Sequence, residues 1–338
     1  MEKKIENKNG ESELRQDIIT GDWVVIATGR AKRPEDFVKK SPESEDSNAE
    51  NCFFCKPEKT GQEKDVLIYH TEDDDWTLRV FPNKYPAFSA EKKMQDLSEG
   101  PYNAISGTGY HELVVTRDHF KHMALFDTMS VAEIFDAYQE RYLDLMNKRS
   151  VNFIGIYHNH GKEAGASVFH PHSQLVAIPV ISPYLKLELD GSAGFYKKNG
   201  HNVFEIIAEY ESAEKTRVIF ENEYFIAFCP FSSRAAFEVW VMPKRQNPYF
   251  ERITDKEKME LAEVFKKSMK AIYDALGNPP YNFYIHTAPC DGRHYPHYRW
   301  HIEILPHTAT WAGFELQTGI EISTIQPEVA AEFLRKKI

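Results

Sequence analysis

Segments about 126 to 130 positions apart in this 338-residue chain repeat one pattern, which confines it to folds built from two related units. Tyr110-His-Glu-Leu-Val-Val115 corresponds to Ala236-Phe-Glu-Val-Trp-Val241, each an alternating strand followed by a polar loop. A helix follows in each copy. The first runs from about Ser130 to Met146 and opens on the capping box Ser130-x-x-Glu133; the second runs from about Asp255 to Leu276, opens on Thr254-x-x-Glu257 and stops at Gly277. Val131, Ile134, Phe135 and Tyr138, like Leu261, Val264, Phe265 and Met269, recur at helical spacing and give each helix an apolar face. The strands Val151–Tyr157 and Tyr281–Ile285 come next, then His170–Pro179 and His297–Pro306. Strand, helix, strand, strand, twice over, predicts an α+β fold with two related halves, each an antiparallel sheet packed with helices. The junction is expected near Asp190–Gly200, giving domains 1–190 and 191–338. Aligned end to end, the copies set His172 against Arg299, so chemistry at His172 would belong to the first half alone.

Forty-one Lys and Arg against fifty-one Asp and Glu leave a formal charge of -10, which argues against nucleic-acid or anionic-membrane binding. No segment approaches the ~20 apolar residues of a membrane helix, and Met1–Asp17 lacks the apolar stretch of a secretion signal. A cytoplasmic protein is expected. Ser41–Glu50 reads as a solvated loop, and Trp23–Ile26, after the turn Thr20-Gly-Asp22, as a buried strand.

His170-Pro-His172-Ser-Gln174 ends a polar, Gly-containing loop, Asn159–Ser167, and enters an apolar strand. Alternation puts His170, His172 and Gln174 on one face. A neutral imidazole is a good nucleophile toward phosphorus, and its phosphoramidate passes the group onward. Gln174 could donate an N–H to a phosphoryl oxygen, while the backbone around Gly161 and Gly165 and the Ser167 hydroxyl could cradle phosphates. Alone, a His-x-His pair is more often a polar strand surface or a metal pair.

Cys52-Phe-Phe-Cys55 has the spacing of a tetrahedral zinc knuckle that needs two further ligands, and His111, His119, His122, His158, His160 and His170 all lie in the same half. A redox pair fits less well, since Pro57 and Gly61 argue against the helix that lowers a reactive thiol's pKa; two inert buried cysteines are the plain alternative. Glu188, His286, His294, His297, His301 and Glu303 form a second, diffuse group that spacing alone does not make a metal site.

Taken together, these residues resemble the galactose-1-phosphate uridylyltransferase family of the histidine-triad superfamily over nearly the whole chain. The resemblance rests on Thr20-Gly-Asp-Trp23, Arg30-Ala-Lys-Arg-Pro34, Cys52-x-x-Cys55, Arg117-Asp-His119, Asn159–Ser167, His170-Pro-His-x-Gln174, Glu188, Trp300-His-Ile-Glu303 and Gly313-Phe-Glu315. It implies two histidine-triad-like halves and a ping-pong reaction in which His172 takes a nucleotidyl group from a nucleoside diphosphate sugar. Gln174 and Ser167 would contact phosphate, and Asn159, Gly165, Arg30, Arg33 and Asn83 would line the nucleotide site. Cys52, Cys55, His119 and His170 would hold a structural zinc, and Glu188, His286 and His301 a second metal, zinc or iron. Glu303 stands where many members have His. No organic cofactor is implied, and a homodimer is.

The leading expectation is uridylyl transfer from UDP-glucose to a hexose 1-phosphate. Ser173 and Asn83-Lys-Tyr-Pro-Ala-Phe88 instead look like the ADP-glucose phosphorylase branch, which makes adenylyl transfer to phosphate the alternative. Ile320-Glu-Ile-Ser323 departs from the Tyr-Ile-Asn ending of that branch. A non-catalytic nucleotide-sugar-binding module is the third reading.

Overall fold

The computed structural model describes residues 11–28, 33–38, 49–90 and 93–338; most of the expected loop Ser41–Glu50, and Arg30, lie outside them. Ten antiparallel strands form one sheet. The first half supplies β3 (Leu67–His70), β4 (Trp76–Pro82), β5 (Tyr110–Thr116), β6 (Phe153–His160) and β7 (His172–Ile178). The second supplies β8 (Val218–Glu221), β9 (Phe225–Phe228), β10 (Val239–Pro243), β11 (Tyr281–His286) and β12 (His301–Pro306). The order β3-β4-β5-β7-β6-β11-β12-β10-β9-β8 is the same five-strand motif written forwards and then backwards, joined at β6–β11. The expected repeat is therefore present, but as one continuous sheet. The junction expected between residues 190 and 191 falls inside the helix α3 (Pro183–Asn199).

Each half lays one long helix on the same face of the sheet. These are α2 (Thr128–Leu145) and α5 (Asp255–Leu276), whose apolar stripes at Val131, Ile134, Phe135 and Tyr138 and at Leu261, Val264, Phe265 and Met269 are buried in one core. Phe135 and Phe265 meet edge to face at 5.3 Å. Burying each such side chain contributes about 1.5–3 kcal/mol. The caps agree with the sequence in α5, where Thr254 and Glu257 form the box and Gly277 closes the helix in the left-handed region. In α2 the expected box is replaced: Asp127 caps the helix by accepting the Ser130 N–H, so the chain turns helical before Ser130. A carboxylate is the stronger acceptor for that N–H and also complements the helix dipole.

Register corrects the end-to-end alignment of the copies. Tyr157, which pairs with Gln174, lies opposite Tyr284, which pairs with Glu303; with the two tyrosines equivalent, Glu303 is the counterpart of Gln174, and His301, whose Nδ1 meets the carbonyl two residues earlier as that of His172 does, is the counterpart of His172 rather than Arg299. The second copy carries two more residues before its last strand, an offset that motif matching alone does not reveal.

On the opposite face of the sheet, α3 and α4 (Val203–Glu214) cover the second half with Leu185, Leu189, Val203 and Phe204. A smaller sheet stands apart: β1 (Glu13–Gln16) and β2 (Trp23–Ile26) form a hairpin, and β13 (Glu321–Ser323) runs parallel to β2. The hairpin turn packs on α3 at Gly191, where an added Cβ would lie 1.9 Å from the Ile19 carbonyl oxygen. Among the described residues no helix is long and apolar enough to cross a membrane. Gly191→Ala should push the hairpin off α3 and lower stability by about 1–3 kcal/mol. Gly194→Ala in the same helix meets no atom within 4 Å and should be neutral or stabilising. Thermal unfolding of the two variants checks the contact; equal melting temperatures would contradict it.

Candidate active site and metal centres

The loop before β7 brings His170 to Cys52, Cys55 and His119, which arrive from the knuckle and from the loop after β5. The cysteines sit beside a one-turn helix, α1 (Pro57–Thr60), closed by Gly61 at φ 68°. Pro57 and Gly61 thus bound a helical turn rather than prevent one, because proline at the first helical position loses no hydrogen bond. Donor separations are 3.4 Å for Cys52 Sγ to His170 Nδ1, 3.3 Å for Cys55 Sγ to His119 Nδ1 and 3.3 Å between the two Nδ1 atoms. Bonds of about 2.3 Å to sulfur and 2.0–2.1 Å to nitrogen around a tetrahedral zinc put neighbouring donors roughly 3.3–3.8 Å apart, so the four residues fit such a cation. His170 Nε2–H donates to the Thr116 carbonyl at 2.6 Å, leaving Nδ1 free to ligate. Burial and the neighbouring Cys52 thiol push Cys55 up to about 11, the opposite of a redox thiol; a thiolate there needs a cation.

The second cluster gathers Glu188 from α3, His286 from β11, and His301 and Glu303 from β12, all buried, with ligand atoms within 4.8 Å of one another. His286 Nε2, His301 Nε2 and Glu303 Oε1 are buried without hydrogen-bond partners and converge, as donors around a cation would. His286 Nδ1 meets Glu188 Oε2 at 3.0 Å, and that oxygen also accepts the Tyr298 hydroxyl at 2.7 Å. Burial favours a neutral His286, but Glu188 and Glu303 outweigh it and raise its pKa. Burial likewise favours a neutral Glu303, yet the ion pair with Arg234 and the two imidazoles hold its carboxyl well below the usual range. Glu303 thus belongs to this cluster, whereas His297 instead stacks on Tyr196 and His294 is absent from it. Arg234 and Tyr298 carried no recognisable motif in the sequence; only the folded register brings them in.

His172 opens β7, 7% exposed, with its ring against Phe54. Its Nδ1 lies 2.9 Å from the His170 carbonyl. A carbonyl only accepts, so the proton sits on Nδ1 and Nε2 keeps its lone pair. Burial also holds the imidazole pKa below its ordinary value, which keeps the ring neutral near pH 7. The carbonyl that fixes this tautomer belongs to a residue of the first metal cluster, so the cluster holds the His172 ring indirectly.

Gln174 and Asn159 lie on the same face as His172, on β7 and its neighbour β6. Gln174 Oε1 is approached by His111 Nε2 at 2.7 Å and by the Tyr157 hydroxyl at 3.1 Å. Asn159 Oδ1 accepts an N–H of Asn282 from β11 at 2.8 Å. Both amides therefore have their oxygens engaged, and among the described residues no acceptor meets their side-chain N–H groups, which can meet an anion. Gly165 lies beside Asn159 at φ 84°, a conformation glycine adopts without strain. Ser167 is exposed in the same loop, Asn83 is half-buried with its Nδ2 3.3 Å from His111 Nε2, and Arg33 is exposed at the start of the turn Pro34–Phe37. In the sequence His111 stood out only as one histidine among many, and Tyr157 and Asn282 only as members of expected strands. Their alternation with Gln174 and Asn159 across paired strands was the signal. Cys55→Ala should abolish metal binding at the first cluster and lower the melting temperature, as metal analysis and thermal unfolding would read. Full metal content in the variant would contradict the ligand set.

The family described as domain of unknown function DUF4921 matches residues 78–338. The ADP-glucose phosphorylase of Arabidopsis thaliana is 32% identical over 334 residues, covering 97% of this chain and 94% of that protein. The galactose-1-phosphate uridylyltransferase of Thermotoga maritima is 28% identical, covering 96% and 98%. The crystal structure of the Arabidopsis thaliana ADP-glucose phosphorylase with bound ADP-glucose superposes with a TM-score of 0.81 at 29% identity, over 96% of this chain and 99% of that one. At this identity and coverage, and with the fold in agreement, the chain belongs to the nucleotidyltransferase family that includes ADP-glucose phosphorylase and the galactose-1-phosphate uridylyltransferases.

Proposed function

We propose that the protein transfers AMP from an ADP-sugar to inorganic phosphate through a covalent adduct on His172. The observation that carries the reading is the neutral His172, whose Nδ1 contact to the His170 carbonyl leaves Nε2 its lone pair, on the sheet face that also carries Gln174 and Asn159 with their amide oxygens engaged. In the first step Nε2 attacks the α-phosphorus, a P–N bond forms, and the bond from that phosphorus to the bridging oxygen breaks, releasing sugar 1-phosphate. In the second, a phosphate oxygen attacks the same phosphorus and the P–N bond breaks, giving ADP and the free imidazole. Each step exchanges one phosphorus bond for another of similar energy, so the residues act by position and charge. Gln174 and Asn159 donate to the phosphoryl oxygens as negative charge gathers there, and Ser167 lies in the loop beside them. Arg30, Arg33 and Asn83 fall to the nucleotide in this reading.

Cys52, Cys55, His119 and His170 would hold a zinc ion with four protein ligands and no open position, so it would supply rigidity rather than an electrophile. Glu188, His286, His301 and Glu303 would hold a second metal ion, zinc or iron.

Adenine is favoured by the greater identity to the phosphorylase, 32% against 28%, and by Ser173 and the segment Asn83–Phe88. Uridylyl transfer to a hexose 1-phosphate, the leading expectation from sequence, is the second reading, supported by similarity to a uridylyltransferase along 96% of the chain. Intact-protein mass spectrometry after mixing with ADP-glucose, and separately with UDP-glucose, separates them. The proposal expects a mass gain of one AMP residue with ADP-glucose and a far smaller fraction modified with UDP-glucose. UMP addition alone would establish the second reading, and no adduct with either would overturn both.

A further inference from the structure

Resting on that reading, we propose that His111 and Tyr157 are positioning residues which fix the orientation of the Gln174 amide, so that it offers N–H rather than C=O to the transferring phosphoryl group. A primary amide can rotate by half a turn with little steric change, exchanging a donor for an acceptor at the same place. Toward a phosphoryl oxygen that gains negative charge, one orientation stabilises and the other repels. Something beneath Gln174 has to decide which is populated.

The strand pairing supplies it from both sides. Leu113 pairs with Gln174 on β5, so His111, two residues back, lies diagonally across on the same face, and Tyr157 is the direct partner of Gln174 on β6. Tyr157 alone does not decide the matter, because a hydroxyl both donates and accepts. His111 does. Its Nδ1 is buried with no partner, so a proton there would be an orphaned donor, whereas on Nε2 the proton lies in the 2.7 Å contact to Gln174 Oε1, which can only accept. Asn83 presents its Nδ2 to the same nitrogen, its Oδ1 being committed to the Tyr85 N–H, but at 3.3 Å this second donor opposes the Nε2–H tautomer more weakly than the 2.7 Å contact supports it. With Nε2 protonated, the buried Nδ1 of His111 is left as an acceptor without a partner. The two donors together occupy both lone pairs of Gln174 Oε1, and no described residue accepts from its Nε2.

The test is a set of variants read by the rate of adduct formation and by the donor KM. Tyr157→Phe, His111→Leu and their combination are compared in the wild-type chain and again in a Gln174→Leu background. In the wild-type chain the combination should slow adduct formation by about 10- to 100-fold, below the full loss of one charge-stabilising donor, with KM changed by less than about threefold. In the Gln174→Leu background the same changes should add at most about a twofold loss, because residues acting through one partner are not additive. His111→Gln, which keeps a donor near the Nε2 position, should recover most of the rate. Equal losses with and without Gln174, or a rise in KM with no change in rate, would overturn the inference. Should the combination fail to fold, His111→Leu alone carries the comparison, with a loss expected in the wild-type chain, none added in the Gln174→Leu background, and recovery in His111→Gln. If the unaltered protein forms no adduct, the proposed function fails; if it does and the variants match it, this inference alone fails.

Discussion

The antiparallel pairing of β6 with β11 is the constraint from which the rest of the architecture follows. It runs from Tyr281 opposite His160 to Ile285 opposite Ile156 and converts two five-stranded sheets, each with an open edge, into one sheet with both edges far from the site. Because the register is fixed, polar residues of both halves fall on a common face: Asn159 beside Asn282, Tyr157 beside Tyr284. Gln174 and Glu303 lie in the same row, separated by three strand spacings, or roughly 14 Å at ~4.8 Å each. The second half is therefore part of the first half's site, since Asn282 is what engages the Asn159 oxygen.

The same local device occurs twice and is used for different chemistry. His172 Nδ1 lies 2.9 Å from the carbonyl two residues earlier, and His301 Nδ1 lies 3.1 Å from the Arg299 carbonyl in the same relation. Both locks leave Nε2 with its lone pair. In the first half it belongs to the sheet face that carries the amides of Gln174 and Asn159; in the second it lies 3.9 and 3.5 Å from the carboxylates of Glu188 and Glu303. Neighbouring charge decides the role: acidic side chains around His301 attract a cation and would repel a phosphoanhydride, whereas no carboxylate shares a hydrogen bond with His172, Gln174 or Asn159 among the described residues.

Long-range order of this kind was partly readable in the chain. Helix α5 was legible to the residue, because the Thr254 box, the apolar period and Gly277 all agree. The Cys52–Cys55 spacing pointed to a metal, yet the choice among six histidines depended on loops that meet only in the fold. Ser130 misled because Ser and Glu three apart satisfy a capping pattern wherever a stronger cap three residues earlier goes unnoticed. The two-residue offset that pairs His172 with His301 lies in a loop without periodicity, so strand register alone could reveal it. His111 and Tyr157 bear no motif; their meaning comes from which strands pair, information that local sequence does not hold.

The account turns on one histidine of a symmetric pair being the reacting group. The most direct measurement is to digest the protein after brief exposure to ADP-glucose, under alkaline conditions that preserve a phosphoramidate, and locate the nucleotide by peptide mass spectrometry. The account predicts modification of the peptide carrying His172 and none at His301. An adduct on His301, or on any residue other than His172, would contradict it.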